Sequence, residues 1–207
     1  QTEMSTVYPS TTAAALSSLG TGLAPGEHGL VGYDVYDPDR KTVVNQLGGW
    51  DERTDPQTWQ PAPTVFEQLN QQRATGVHHI EPITVSLVAF ESSALTRASL
   101  QGARFVGQNN LAKRFTQAAF EAQQPGALIY LYVNELDKAG HQYGPGSNQW
   151  LEVLEEIDSL SRRMVRKLPE GTLAAVTGDH GMIEVKAEHR IDFAQQEELI
   201  ADVAHTA

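Results

Sequence analysis

Short apolar runs of strand length alternate along this chain with stretches of helical periodicity. That alternation is what a parallel α/β sheet requires, because each parallel pairing needs a long crossover between its strands. Residues 83–90, 128–133 and 173–176 read as buried strands. Helical patterns cover residues 12–21, 64–74, 109–122 and 147–168. In the last of these Leu151, Leu154, Ile157 and Leu160 recur at helical spacing, as in a helix that covers a sheet. The expectation is a doubly wound, mostly parallel sheet with helices on both faces. Ligand sites in such sheets lie in loops beyond the carboxyl ends of the strands.

With 207 residues, 40% of them apolar, the chain suits one α/β catalytic domain, and no repeat or linker divides it. Residues 34–63 are polar and turn-rich, with YDPDR, LGGWDERTDP and QPAP, and are too long for a plain connector. They read as an insertion over the site. A net charge of −11 argues against a nucleic-acid-binding surface, which would need Lys and Arg to neutralise phosphates. Any phosphate handled here meets metal instead. No apolar run approaches the roughly 20 residues that span a bilayer, and QTEMSTVYPS lacks the basic-then-apolar order of a signal peptide. Because the chain opens on Gln and moves at once into a candidate site, the expectation is that an earlier strand has been cut away and that the domain is incomplete. The absence of cysteine excludes disulfides and thiolate zinc sites, leaving His and carboxylates as metal ligands.

Three stretches carry chemistry. In YPSTTAAALSSLGTG, the hydroxyls of Ser10, Thr11 and Thr12 stand before an Ala-rich helical run. A hydroxyl there commonly caps the helix, and losing such a cap costs about 1 kcal/mol. It can also be a nucleophile, with the helix N-terminus receiving an anion and a metal lowering the hydroxyl pKa. In NELDKAGHQYGPGS, Asp137 and His141 form D-x-x-x-H, with Gly140 and Gly144 allowing a loop to aim both at one ion. Asp179 and His180 in VTGDHGM stand next to each other between Gly178 and Gly181. Alone, D-x-x-x-H more often means a capping Asp and a surface histidine, and Asp-His is a common dipeptide. Two such pairs, each after an apolar strand of one parallel sheet, suggest a two-metal hydrolase.

These stretches resemble the alkaline phosphatase superfamily and, within it, the nucleotide pyrophosphatase/phosphodiesterase-like family. The resemblance rests on YPSTTAAALSSLGTGLAPGEHGLVGY, LDKAGHQYGPGS and TGDHGM, in the family's order and covering nearly the whole chain. It implies that Thr12 is the nucleophile, transiently phosphorylated or nucleotidylated and in contact with a metal. Asp137 with His141, and Asp179 with His180, would be ligands of two divalent ions, zinc foremost. The family supplies a further Asp before the nucleophile and a further His after TGDHGM. The first is expected before Gln1 and the second beyond Ala207, with His189 and His205 read as surface residues. Where many relatives have an Asn that helps hold the phosphoryl oxygen, Tyr33 stands here, able to donate a hydrogen bond, stack on a base or pack. Trp50, Trp59 and Tyr143 are further candidates for stacking on a planar leaving group. The implied activity is metal-dependent hydrolysis of phosphodiester or pyrophosphate bonds in a small phosphorylated substrate of nucleotide type. The alternatives are a phosphomonoesterase, sulfatase-like hydrolase or phosphomutase on the same scaffold, or a non-catalytic binding fragment.

Overall fold

The computed structural model describes residues 4–192, 195 and 197–201. The first half contains α1 (Thr12–Thr21), α2 (Pro25–His28), β1 (Asp34–Asp37), β2 (Thr42–Asn45), α3 (Pro56–Trp59) and α4 (Val65–Ala74). After these come β3 (Glu81–Ser86), α5 (Ala94–Ser99), β4 (Arg104–Gly107) and α6 (Leu111–Glu121). The rest comprises β5 (Ala127–Leu131), α7 (Glu135–Tyr143), α8 (Asn148–Val165) and α9 (Glu197–Ile200).

Strand β3 lies between β4 and β5, parallel to both. The register sets Ile83 beside Ile129 and Val85 beside Leu131 and Val106. Successive residues of a strand face opposite ways, so these five share one face, where they pack with Ala118 of α6 and Met164 of α8. Thr84 and Tyr130 pair on the other face. There Tyr130 meets a second core made by Ala13 and Leu16 of α1, Leu30, Phe66 of α4, and Leu95, Ala98 and Leu100 in and after α5. Helices therefore cover both faces of a parallel sheet, as the alternation predicts. Side-chain caps fix the helix starts: Thr64 with Glu67 forms a capping box on α4, Asn110 caps α6 and Ser147 caps α8.

Residues 34–63 fold as the antiparallel β1–β2 hairpin followed by α3. Asp37 Oδ1 closes the hairpin turn by accepting from the N–H groups of Asp39 and Arg40. Leu47, Trp50 and Trp59 anchor the segment on the α1–α5 core.

Three expected elements differ. The strand expected over 83–90 is Glu81–Ser86, followed by a tight turn at Val88–Phe90. Its last rung is the Gln108 N–H donating to Ser86 O at 2.7 Å, beyond which β4 has ended. Residues 173–176 are not a strand, and Leu173 and Val176 are 92% and 88% exposed. No neighbouring strand among the described residues offers them a ladder, and an apolar run without one does not become a strand. Helix α8 falls within its expected range but packs chiefly on α6 and α7, reaching the sheet's core near its C-terminal end through Met164, so Leu160 is buried while Leu151 and Leu154 stay exposed. Among the described residues, no helix is long and apolar enough to cross a membrane.

The contact that sets α1 against the body of the molecule is between backbones. A Cβ on Gly20 would lie 1.7 Å from the carbonyl oxygen of Ser99, and nearby Ser17 and Ser99 share a buried hydrogen bond of 2.7 Å. Gly20→Ala returns about 1 kcal/mol of helix propensity but must prise α1 from α5. The expected net loss is about 2 kcal/mol or more, read as a lower urea midpoint at unchanged m-value.

Candidate active site

Thr12 opens α1, one residue inside the helix. The cap is Thr11, whose backbone is extended and whose hydroxyl accepts from the Ala14 N–H. Of the three hydroxyls at the start of the helix, capping therefore falls to Thr11, and a Thr12 substitution carries no capping cost. The Thr12 hydroxyl instead lies 3.2 Å from His180 Nε2. His180 Nδ1 lies 2.8 Å from the Gly181 carbonyl oxygen, a contact that requires Nδ1 to carry the proton. In the neutral ring Nε2 is then a bare acceptor, and the Thr12 O–H is the donor. Asp179 Oδ2 is 3.6 Å from the same nitrogen. Thr6 fixes this loop from the other side by donating to the Asp179 carbonyl at 2.5 Å.

Asp137 and His141 lie on α7, not on a loop as Gly140 and Gly144 suggested. Four residues apart, they share one helix face, with Asp137 Oδ1 3.4 Å from His141 Nε2. Asp137 is in the first turn and His141 in the last, the order the helix dipole favours. Asp137 Oδ1 is buried and accepts no hydrogen bond. Gly140 serves packing: a Cβ there would come 2.4 Å from Met182 Sδ, so the chain just after His180 lies directly against α7.

Tyr132, just past β5, ties the two regions together. Burial above all, then the charges of Asp179, Asp137 and Glu135, push its phenol up to about 12. Both aspartates thus lie within electrostatic reach of one tyrosine. Burial also raises Tyr130, which stacks on Tyr132 at 6.3 Å, and Phe90 meets Tyr132 edge-on at 6.0 Å. The motifs did not single Tyr132 out. The signal was its place two residues beyond Tyr130, on the same face at the carboxyl end of a strand.

The other candidates fall elsewhere. Trp50 and Trp59 pack edge-to-face at 5.8 Å against the core and donate to the carbonyls of Gln46 and Gly29, so the packing role prevails over stacking on a ligand. Tyr33 and Tyr143 are about half exposed, and no hydrogen bond joins the Tyr33 phenol to Thr12 or to either Asp/His pair. His189 is exposed beside Glu188. His205 lies outside the described residues.

Among the described residues no group of three or more His, Cys, Asp or Glu is gathered to hold one ion. Each Asp/His pair nonetheless has the donor chemistry a divalent cation requires. At one, the lone pairs of Asp179 Oδ2 and His180 Nε2 meet beside a hydroxyl. At the other, a carboxylate oxygen is buried without a donor to satisfy it.

Against this geometry, the sequence model of the type I phosphodiesterase/nucleotide pyrophosphatase family matches residues 1–204. The chain belongs to that family. Curated relatives include the mouse bis(5′-adenosyl)-triphosphatase, 26% identical over 190 residues that cover 84% of this chain and 38% of the relative. The Crotalus adamanteus venom phosphodiesterase 2 is 22% identical over 190 residues, covering 89% and 23% of the two chains. The chain thus spans well under half the length of these relatives. Among solved structures, murine ectonucleotide pyrophosphatase/phosphodiesterase 5, in an inactive form bound to AMP, superposes with a TM-score of 0.56. The identity is 15%, and the match covers 80% of this chain and 42% of that one. At such identity the likeness is one of fold, and the fold is the alkaline-phosphatase-like one.

The two threonines are expected to separate in stability measurements. Thr11→Ala should lower the unfolding free energy by about 1 kcal/mol through loss of the cap. Thr12→Ala, which removes only a partly exposed hydroxyl contact, should stay within about 0.5 kcal/mol of the unsubstituted protein in urea titrations.

Proposed function

We propose that this chain carries the reaction centre of a metal-dependent hydrolase of phosphodiester or pyrophosphate bonds in nucleotide-type substrates, with Thr12 as its nucleophile. One observation carries the reading: the Thr12 hydroxyl, relieved of capping by Thr11, faces Nε2 of His180 with Asp179 alongside. A hydroxyl kept only for packing or capping has no reason to stand there.

Asp179 with His180, and Asp137 with His141, are the residues that would hold two divalent cations, zinc foremost. Such cations would lower the pKa of the Thr12 hydroxyl and of water and offset the charge on phosphate oxygens. The remaining chemistry belongs to the chain. Thr12 Oγ1 attacks phosphorus as its proton passes to solvent, and the bond from phosphorus to the leaving oxygen breaks, so the leaving group departs with that oxygen and a threonyl ester remains. The N–H groups of Thr12 and Ala13, which the Thr11 cap leaves unused, receive the phosphoryl oxygens along the helix dipole. Water then cleaves the ester and restores the hydroxyl. Tyr33, half exposed, is a surface on which the leaving group could rest, and the 34–63 segment is the insertion that would shape that side.

A labelled phosphodiester is expected to leave an adduct that maps to Thr12 on rapid acid quenching. Thr12→Ala should abolish both adduct and turnover while melting normally, and exhaustive chelation should abolish turnover until zinc is restored. An adduct on Ser10 or Thr11, or full turnover after metal removal, would sink the proposal.

A further inference from the structure

The connection from β5 to α7 is three residues long, and it places Asp137. It lacks the usual fastening, since the Asn134 side chain makes no capping bond and its Oδ1 is buried without a partner. The fastening comes from another helix. Arg114 of α6 is fully buried, and its Nη1 donates to the Tyr132 carbonyl at 3.2 Å while Nη2 donates to the carboxylate of Glu135. One planar group thus grips the chain on both sides of the turn. Asp137 follows Glu135 by two residues in the same first helical turn.

We propose that Arg114 is a positioning residue for the Asp137–His141 pair, fixing the β5–α7 turn so that both side chains address one divalent cation. The inference rests on the metal-dependent reading above. An ion pair that keeps a guanidinium fully buried is a poor device for stability alone, because apolar residues of similar volume in both places are often neutral or stabilising. This pair is not even saturated, since Arg114 Nε and Glu135 Oε2 lack hydrogen-bond partners. What the guanidinium supplies, and an ammonium or an apolar chain does not, is a rigid fork that holds two acceptors at a fixed separation. Groups that orient metal ligands in this way typically change metal affinity by about 10- to 100-fold when removed.

The test uses the double variant Arg114→Met with Glu135→Met, which removes the buried guanidinium and its half-buried partner charge together. Zinc alone is the probe, and the readouts are its dissociation constant against a chromophoric chelator, the 15N shift of the His141 imidazole, and the melting temperature without metal. The expected result is a melting temperature near that of the unsubstituted protein, with zinc affinity at His141 weaker by about 10- to 100-fold. Arg114→Lys should restore only part of the loss. If the double variant keeps zinc affinity within about twofold while Asp137→Asn abolishes it, the ion pair is merely structural and the proposal is overturned. Should the double variant fail to fold, Arg114→Lys decides, with unchanged affinity overturning the proposal and weakened affinity supporting it. If zinc does not shift His141 in the unsubstituted protein, the metal reading itself fails and takes the proposal with it, a result distinct from the others.

Discussion

The parallel pairing of β3 on both sides is the constraint from which the rest of the molecule hangs. From Pro82 to Ser86 the strand is buried on both faces, so no polar group can leave it except at an end. Parallel neighbours then bring their carboxyl ends to one edge, and the chain leaving β5 there must turn at once into α7. The helices on the face shared by Thr84 and Tyr130 include α1, which brings Thr12 to the same region as the loop holding His180. Chemistry-bearing residues far apart in sequence thus arrive from a strand end, a helix N-terminus and an irregular loop.

That edge is electrostatically uncomfortable. Asp179, Asp137 and Glu135 all act on Tyr132, and the opposing positive influence on that phenol comes from Arg114. Carboxylates crowded beside buried aromatic rings repel each other and lose hydration, a cost that hydrogen bonds or cations must offset. Glu135 has its cation in Arg114, whereas Asp137 presents a buried oxygen with nothing donating to it. An unsatisfied buried acceptor is uncommon enough in folded proteins to call for a reason, and a bound divalent ion would be one.

Much of the architecture was legible in the residues. Helices α1, α4, α6 and α8 fall within a residue or a few of their expected ranges because Thr64, Asn110 and Ser147 write their starts in plain capping chemistry. Strands β3 and β5 announce themselves as apolar runs. What escaped depended on tertiary partners. Gly140 looked like a loop residue, yet it is helical, and its missing side chain makes room for Met182. Acid in the first turn and histidine in the last were the helix signals overridden by that glycine. β4 is only four residues long and owes its existence to its place beside β3. Residues 173–176 have strand composition but no neighbouring strand among the described residues, so composition misled. At the site, the choice between Thr11 and Thr12 turned on a one-residue offset in helix phase, which fixes which hydroxyl is spent on the cap.

Gly20 and Ser99 meet through main-chain atoms, and main chain has no rotamers to exchange. Core side chains around α1 can hop or be replaced by others of similar bulk without moving that meeting point. The helix is then seated near its C-terminal end by a joint as stiff as covalent geometry allows, and its N-terminus, about 12 Å away at 1.5 Å per residue, swings only as far as the joint permits. Sequence drift in the surrounding core should therefore alter how firmly the protein is folded long before it alters where the Thr12 oxygen stands.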